Sequence, residues 1–170
     1  STGQPARFIQ DKNYDMWCRA HQLRAYGWCG DWEIGQKFAL VWGSPVYWDK
    51  QTLARKAEAA VTNRIELNCN DVGSENLLRI ARHLEKFKPI LISGYSTALY
   101  MMTEIAKTHG IHIEGLRALQ PNAEPTYDHM AETMRTYFKV PIFDKYGSTE
   151  TNIIAHQSTS SNDLMCLQAE

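Results

Sequence analysis

The feature that most constrains this chain is the alternation of helical and extended apolar patterns from residue 74 to residue 143. Ser74 is placed to cap a helix through Lys88, with Leu77, Leu78, Ile80, Ala81 and Leu84 as its buried stripe. Pro89 ends that helix, residues 90–93 read as a short strand, and Gly94 permits a sharp turn after it. Ser96 or Thr97 begins a second helix that reaches about His109 and stops at Gly110. Residues 116–119 form the next strand, and Thr126 caps a third helix containing Met130, Met134, Tyr137 and Phe138. Residues 140–143 are the last clear strand. Right-handed crossovers make strands in such an order parallel and cover both faces of their sheet. The expected fold class is therefore α/β, a mainly parallel sheet flanked by helices on both faces.

The first seventy residues fit the same plan less tightly. Residues 6–10 are a short strand candidate. Asn13 or Asp15 caps a helix over about 15–26, in which Met16, Trp17, Ala20 and Leu23 recur at helical spacing and Gly27 is the stop. Residues 37–42 (K-F-A-L-V-W) read as a buried strand ended by Gly43 and Pro45. Residues 49–63 form an Ala-rich, solvent-exposed amphipathic helix, Ile65 and Leu67 alternate as in a strand, and residues 70–73 turn. Burial accounts for Trp17 and Trp42, whereas Trp28, Trp32 and Trp48 suit either core packing or stacking on a carbohydrate.

Composition removes several classes of function. Lys and Arg total 18 against 19 acidic residues, so no excess positive charge exists to follow nucleic acid or an anionic membrane. No apolar run approaches the roughly 20 residues that span a bilayer. Cys18, Cys29, Cys69 and Cys166 are scattered without a CxxC pair, which suits reduced thiols in a cytoplasmic protein and does not point to zinc. The chain begins Ser-Thr-Gly-Gln-Pro, without an initiator Met, and is expected to be a piece of a longer polypeptide.

Two polar segments follow neighbouring strands: Pro121-Asn122-Ala123-Glu124-Pro125, and Tyr146-Gly147-Ser148-Thr149-Glu150. In an α/β sheet, ligands bind beyond the carboxyl ends of the strands. The second segment reads as a strand end running into a turn at Gly147, with an aromatic face, two hydroxyls and a carboxylate. These are groups that a phosphorylated ligand needs. The hydroxyls and glycine of Ser1, Thr2 and Gly3 suit an anion-binding loop.

Their order and spacing resemble the adenylate-forming enzymes, in particular the phenylacetate–CoA ligase branch and its relatives in capsule-polysaccharide gene clusters. That family carries a Gly-Ala-Glu-Pro loop, a helix, a short strand and Tyr-Gly-x-Thr-Glu, and a phosphate loop ending Ser-Thr-Gly-x-Pro. Residues 88–97 (K-P-I-L-I-S-G-Y-S-T) look like its Pro-strand-Gly-Tyr-Pro-Ser segment. The resemblance implies that residues 1–170 are one partial AMP-binding domain, the N-terminal one, with the family's C-terminal domain absent. It implies that the backbone of Asn122, Ala123, Glu124 and Pro125 lies along adenine and that Tyr146 stacks on it beside Gly147 and Ser148. It makes Thr149 the phosphate-binding hydroxyl and Glu150 the Mg²⁺ ligand, the two catalytic residues. Ser1, Thr2 and Gly3 become the end of the loop that grips ATP. Tyr95 and the aromatic residues from Trp42 to Trp48 are candidates for the acyl pocket. The implied reaction uses ATP, Mg²⁺ and a small carboxylic acid, forms an acyl-adenylate, and passes the acyl group to a thiol such as coenzyme A. A nucleotide-binding module without turnover and an unrelated flavodoxin-like domain are the alternatives. Asn122 departs from the family's Gly and is expected at positive φ. Some family members bind a metal through Cys and His after Tyr-Gly-x-Thr-Glu; here His156 is expected to be unpaired polar surface and Cys166 to be buried in an ordinary way.

Overall fold

A computed structural model describes residues 7–44, 52–148, 150–158 and 161–166, with the backbone alone for 54–56 and 161–166. The element order is α1 (Lys12–Gly27), β1 (Phe38–Trp42), α2 (Leu53–Val61), β2 (Arg64–Asn68), α3 (Ser74–Phe87), β3 (Leu91–Tyr95), α4 (Ser96–His109), β4 (Ala118–Asn122), α5 (Asp128–Phe138), β5 (Lys145–Ser148), β6 (Asn152–Ser158) and β7 (Ser161–Cys166). Strands β2-β1-β3-β4 form a wholly parallel sheet, as the alternation requires. Residues 140–143 lie beside β4 through one parallel bridge, Leu119 to Ile142, with Leu119 N–H donating to Pro141 O (3.1 Å) and Phe143 N–H to Leu119 O (2.9 Å).

Side chains alternate across this sheet as the pleat dictates. Ala39, Val41, Ile92 and Leu119 pack with Leu77, Ile80, Leu84, Leu99, Met102 and Met134 of α3, α4 and α5. Phe38, Leu91 and Ala118 face the other way, into a smaller cluster with Tyr26, Cys29, Trp32 and Phe143. Ser93 and Gln120, each two residues beyond Leu91 and Ala118, share this second face. Of the stripe expected on α3, Leu77, Ile80, Ala81 and Leu84 are buried and Leu78 is half-buried.

Several local expectations are corrected. β4 runs to Asn122, so Gln120, Pro121 and Asn122 are strand residues. Pro121 is tolerated because nitrogens two apart point the same way in a strand. Its missing N–H would aim where Leu119's does, past the point where residues 141–143 have left the edge. Gly94 makes no turn: it pairs with Val41 and Pro121 inside the sheet. A Cβ there would stand 2.5 Å from Val41 O, so glycine allows the close approach of β1 and β3. Asp11 caps α1, its Oδ1 accepting from Tyr14 N–H at 2.7 Å, so the helix starts before the expected Asn13 or Asp15 cap. Gly73 precedes α3 without a side-chain cap, and Tyr127 rather than Thr126 stands at the N-cap of α5. Residues 7–10 are irregular, and no strand forms there.

Helix α1 reverses the predicted burial. Met16, Trp17 and Leu23 are exposed, and the inward face carries Cys18, Ala25 and Tyr26. Helical spacing identified a stripe but could not say which of two apolar faces meets the protein. The largest unforeseen element is the antiparallel β5-β6-β7 sheet against which α1 packs. No helix among the described residues is long and apolar enough to cross a membrane.

Candidate functional site

Two segments leave the carboxyl ends of adjacent parallel strands: residues 123–127 from β4, and residues 144–150 from the strip beside it. The first is held by the start of α4. Ser96 Oγ donates to Glu124 O (3.0 Å) and lies 3.0 Å from Thr126 Oγ1, and Thr97 N–H donates to the Glu124 carboxylate (3.0 Å). An acidic group at a helix N-terminus is favourable, because the first-turn N–H groups there lack helical acceptors. The left-handed residue is Ala123 (φ 65°), not Asn122. Asn122 is buried and extended, and its Nδ2 donates to Ser93 Oγ at 2.8 Å. The substitution for glycine expected at Asn122 therefore has a different basis, a buried side-chain hydrogen bond.

The second segment is a β-hairpin strand. β5 pairs antiparallel with β6, so the chain reverses after Ser148 rather than at Gly147. The register slips between Tyr146 and Gly147, and a Cβ on Gly147 would fall 2.1 Å from Asn152 O. Only glycine permits that approach. The tip is organised by Ser148, whose Oγ accepts from the N–H groups of Glu150 and Thr151 (3.2 Å each). The Glu150 carboxyl is exposed, and hydrogen bonds from Ser148 and from its own backbone hold it below the ordinary carboxylate range. Tyr146, 61% exposed, offers a ring face to solvent. Thr149, Ser1, Thr2, Gly3 and Trp48 lie outside the described residues.

Sequence reasoning missed the residues that tie the hairpin tip to the beginning of the chain. Tyr14 Oη donates to Glu150 O at 2.8 Å and Gln10 Nε2 donates to it at 3.1 Å. The segment that follows Ser-Thr-Gly-Gln-Pro is thereby anchored at the Glu150 turn. Nothing in the local sequence of Gln10 or Tyr14 marks this role, since the contact spans more than 130 residues.

At the other side of the sheet's carboxyl edge, Tyr95 stacks on Trp42 with ring centroids 4.5 Å apart. Gly43 makes room for the pair, since a Cβ there would lie 2.9 Å from the Tyr95 ring. Burial pushes the nearby Cys69 thiol up to about 11 and raises Tyr95 as well. Trp32 is a core residue, and Trp28 packs against His156 with the Arg24 guanidinium over its ring.

His156 overturns the expectation of an unpaired surface residue. It is fully buried, and Gln120 Nε2 is 2.7 Å from its Nε2. Its Nδ1 contacts Gln157 O. Cys29 Sγ is 3.7 Å from the same Nε2 and donates to Ala25 O at 3.4 Å. Burial first, and the Lys145 charge as well, lower His156 to about 4. Burial also brings Lys145 down to about 8 and pushes Cys29 up to about 12. At neutral pH His156 and Cys29 are thus uncharged beneath the hairpin, whereas Lys145 keeps most of its charge. The side chain of Cys166 is not among those described. Among the described residues no cluster of three His, Cys, Asp or Glu side chains gathers as a metal site.

No family model matches the chain. Protein CapK of Staphylococcus aureus is 27% identical over 89 residues, which is 52% of this chain and 20% of CapK. A 2-hydroxyisobutyryl-CoA ligase, solved with 2-HIB-AMP and CoA, superposes with a TM-score of 0.73 at 18% identity over 98% of this chain and 37% of its own. The anthranilate CoA ligase AuaEII, solved with anthranoyl-AMP, gives a TM-score of 0.61 at 12% identity over 86% of this chain and 28% of its own. The fold is that of the N-terminal domain of adenylate-forming enzymes. This chain spans 37% and 28% of the two ligase structures it matches and 20% of CapK.

Proposed function

We propose that this chain forms the adenine- and phosphate-binding part of an enzyme that activates a small carboxylic acid with ATP. The products of the first step would be an acyl-adenylate and pyrophosphate, and the acyl group would then pass to a thiol, coenzyme A. The observation that carries the reading is the pairing of the 123–127 and 144–150 segments at the carboxyl ends of neighbouring parallel strands, in a fold shared with ligases solved with acyl-AMP.

In this reading the exposed ring of Tyr146 stacks on adenine and the backbone after Asn122 borders it. The hydroxyls of Ser148 and Thr149 meet the phosphate, and the Ser1-Thr2-Gly3 segment grips the remaining phosphates. The anchoring of Gln10 and Tyr14 at Glu150 supports this last assignment, because these residues follow that segment closely in sequence. Glu150 suits Mg²⁺: its carboxylate is exposed, deprotonated at neutral pH and a hard oxygen donor. Magnesium held there with the substrate phosphates would offset charge on the phosphate under attack. No side chain acts as a covalent nucleophile. The protein aligns the acid with the α-phosphate, and alignment and fixed charges carry the rate. Tyr95 and Trp42 are the proposed wall of the acyl pocket, an aromatic surface suited to a flat or apolar acid.

The test is a calorimetric titration of residues 1–170 with AMP and with ATP–Mg²⁺. It is paired with pyrophosphate release across a panel of aryl and fatty acids, measured on this chain and on any longer polypeptide that carries it. Weak, saturable AMP binding that Tyr146→Ala weakens about tenfold or more is expected, with acid-dependent pyrophosphate release from the longer polypeptide alone. No AMP binding would reject the adenylate reading, and turnover by residues 1–170 would point to a complete enzyme of another kind.

A further inference from the structure

The buried polar groups beneath the hairpin form a chain with a single direction. Asn122 Nδ2 donates to Ser93 Oγ (2.8 Å), and Ser93 Oγ donates to Gln120 Oε1 (2.7 Å). Gln120 Nε2 then reaches His156 Nε2 (2.7 Å) and, with its second hydrogen, Cys29 Sγ (3.5 Å). The direction follows from the far end. His156 Nδ1 faces a backbone carbonyl, which can only accept, so Nδ1 carries a proton. In a neutral imidazole Nε2 is then an acceptor, and the Gln120 amide must turn its NH₂ toward it. Reversing the amide would require a doubly protonated ring in a fully buried site.

This chain spans both sheets. Ser93, Gln120 and Asn122 lie on β3 and β4, whereas His156 lies on β6, two residues from where β6 and β5 share the slipped register. Gln120 sits in the middle of β4, two residues before Asn122, after which the backbone is proposed to border adenine. Tyr146 is paired with Ala155, the neighbour of His156. A bond between Gln120 and His156 therefore fixes one proposed nucleotide-binding segment relative to the other.

We propose that Gln120 and His156 are positioning residues, which hold the β5–β6 hairpin in one placement over the end of β4 and so set where Tyr146 and Glu150 stand. The hairpin's role in binding nucleotide rests on the adenylate reading above; the clamp itself does not. Among the described residues, the titratable groups that act on the ring are Cys29 from the loop after α1 and Lys145 from β5. Trp28 and Phe143 pack on it from the other sides.

The experiment is ¹⁵N NMR of the full chain across roughly pH 5 to 8, the range in which an ordinary histidine titrates, with AMP as the ligand. In the wild type, His156 Nε2 stays unprotonated and Nδ1 protonated throughout. Gln120→Glu keeps the shape but replaces the donor with a second acceptor, so the ring must take a proton to restore the bond, and its pKa rises above 6.5. The amide signals of Tyr146, Gly147 and Ser148 then follow the His156 titration in the variant and not in the wild type. AMP affinity falls about tenfold as pH rises past that raised value, the size of one lost contact of ordinary strength. His156→Leu displaces the same three amides, whereas His156→Gln, which retains an acceptor, does not; this pair decides the matter if Gln120→Glu fails to fold. A wild-type His156 that titrates near 6.5, or amides indifferent to both Gln120→Glu and His156→Leu, overturns the clamp. Amides that respond while neither protein binds AMP leave the clamp standing and reject the nucleotide reading.

Discussion

Gly147→Ala is the perturbation whose effect the hairpin geometry determines most tightly. The added Cβ would lie 2.1 Å from Asn152 O, 3.0 Å from Asn152 C and 3.1 Å from Ile153 Cα. All three are backbone atoms, so no rotamer change relieves the contact, and one strand must move by nearly an ångström. β6 is the less able to give: Ile153 is buried against Ala25 of α1, and His156 is held by Gln120. β5 therefore moves outward and takes Tyr146 and Ser148 with it. Overpacking of this kind costs about 1–3 kcal/mol, and a ladder hydrogen bond weakened at the slipped register adds about 1. A destabilisation of about 2–4 kcal/mol is expected in urea unfolding followed by tryptophan fluorescence. The control is Gly27→Ala, where a Cβ meets nothing nearer than Trp32 O at 3.7 Å and the helix gains propensity. It should be neutral or stabilising by up to about 1 kcal/mol. If Gly147→Ala unfolds within about 0.5 kcal/mol of wild type, a range ordinary for harmless surface changes, the close approach of β5 and β6 is wrong.

Acid unfolding has a defined sign. The folded-state pKa of His156 lies below its unfolded value, so the unfolded chain binds the extra proton. Stability from the neutral ring is complete above about pH 6.5 and is lost as pH falls toward about 4, by about 3 kcal/mol at most; His156→Gln should flatten that slope in pH-dependent urea titrations. Tyr146→Ala should leave stability within about 0.5 kcal/mol, because the ring is 61% exposed, yet cut AMP affinity about tenfold or more through lost stacking, read by calorimetry. Glu150→Gln should fold as wild type, since Tyr14 and Gln10 use the Glu150 backbone carbonyl rather than its carboxylate. In a longer polypeptide with activity, it should lower acid-dependent pyrophosphate exchange about 10²-fold, as loss of one charge-stabilising group does.

The parallel sheet was legible in the sequence because each of its strands is a short apolar run bounded by helices with a clear stripe. Leu77, Ile80, Ala81 and Leu84 could face only a core, and glycine at 110 could only end a helix. The boundaries of β4 were not legible. Gln120, Pro121 and Asn122 carry the composition of a loop, and their strand character comes from partners on β3 and from an edge that needs no N–H at Pro121. Helix α1 failed for a different reason. Its sequence has two apolar faces, and the choice between them is made by β6, which periodicity does not see.

The small sheet marks the same limit more sharply. Tyr146, Gly147 and Ser148 were picked out for chemistry from a motif, but the motif carries no information about what holds it in place. That information lies in Gln120 and His156, each of which reads as an isolated polar residue in its own stretch of sequence. Buried together, neither is tolerable without the other: an unpaired amide or imidazole in the interior costs more than the bond between them returns. The requirement is mutual and long-range. A polar residue at the centre of a buried strand, such as Gln120 in A-L-Q-P-N, is the one trace the pairing leaves in the sequence. It asks for a partner without naming it, and the structure supplies His156.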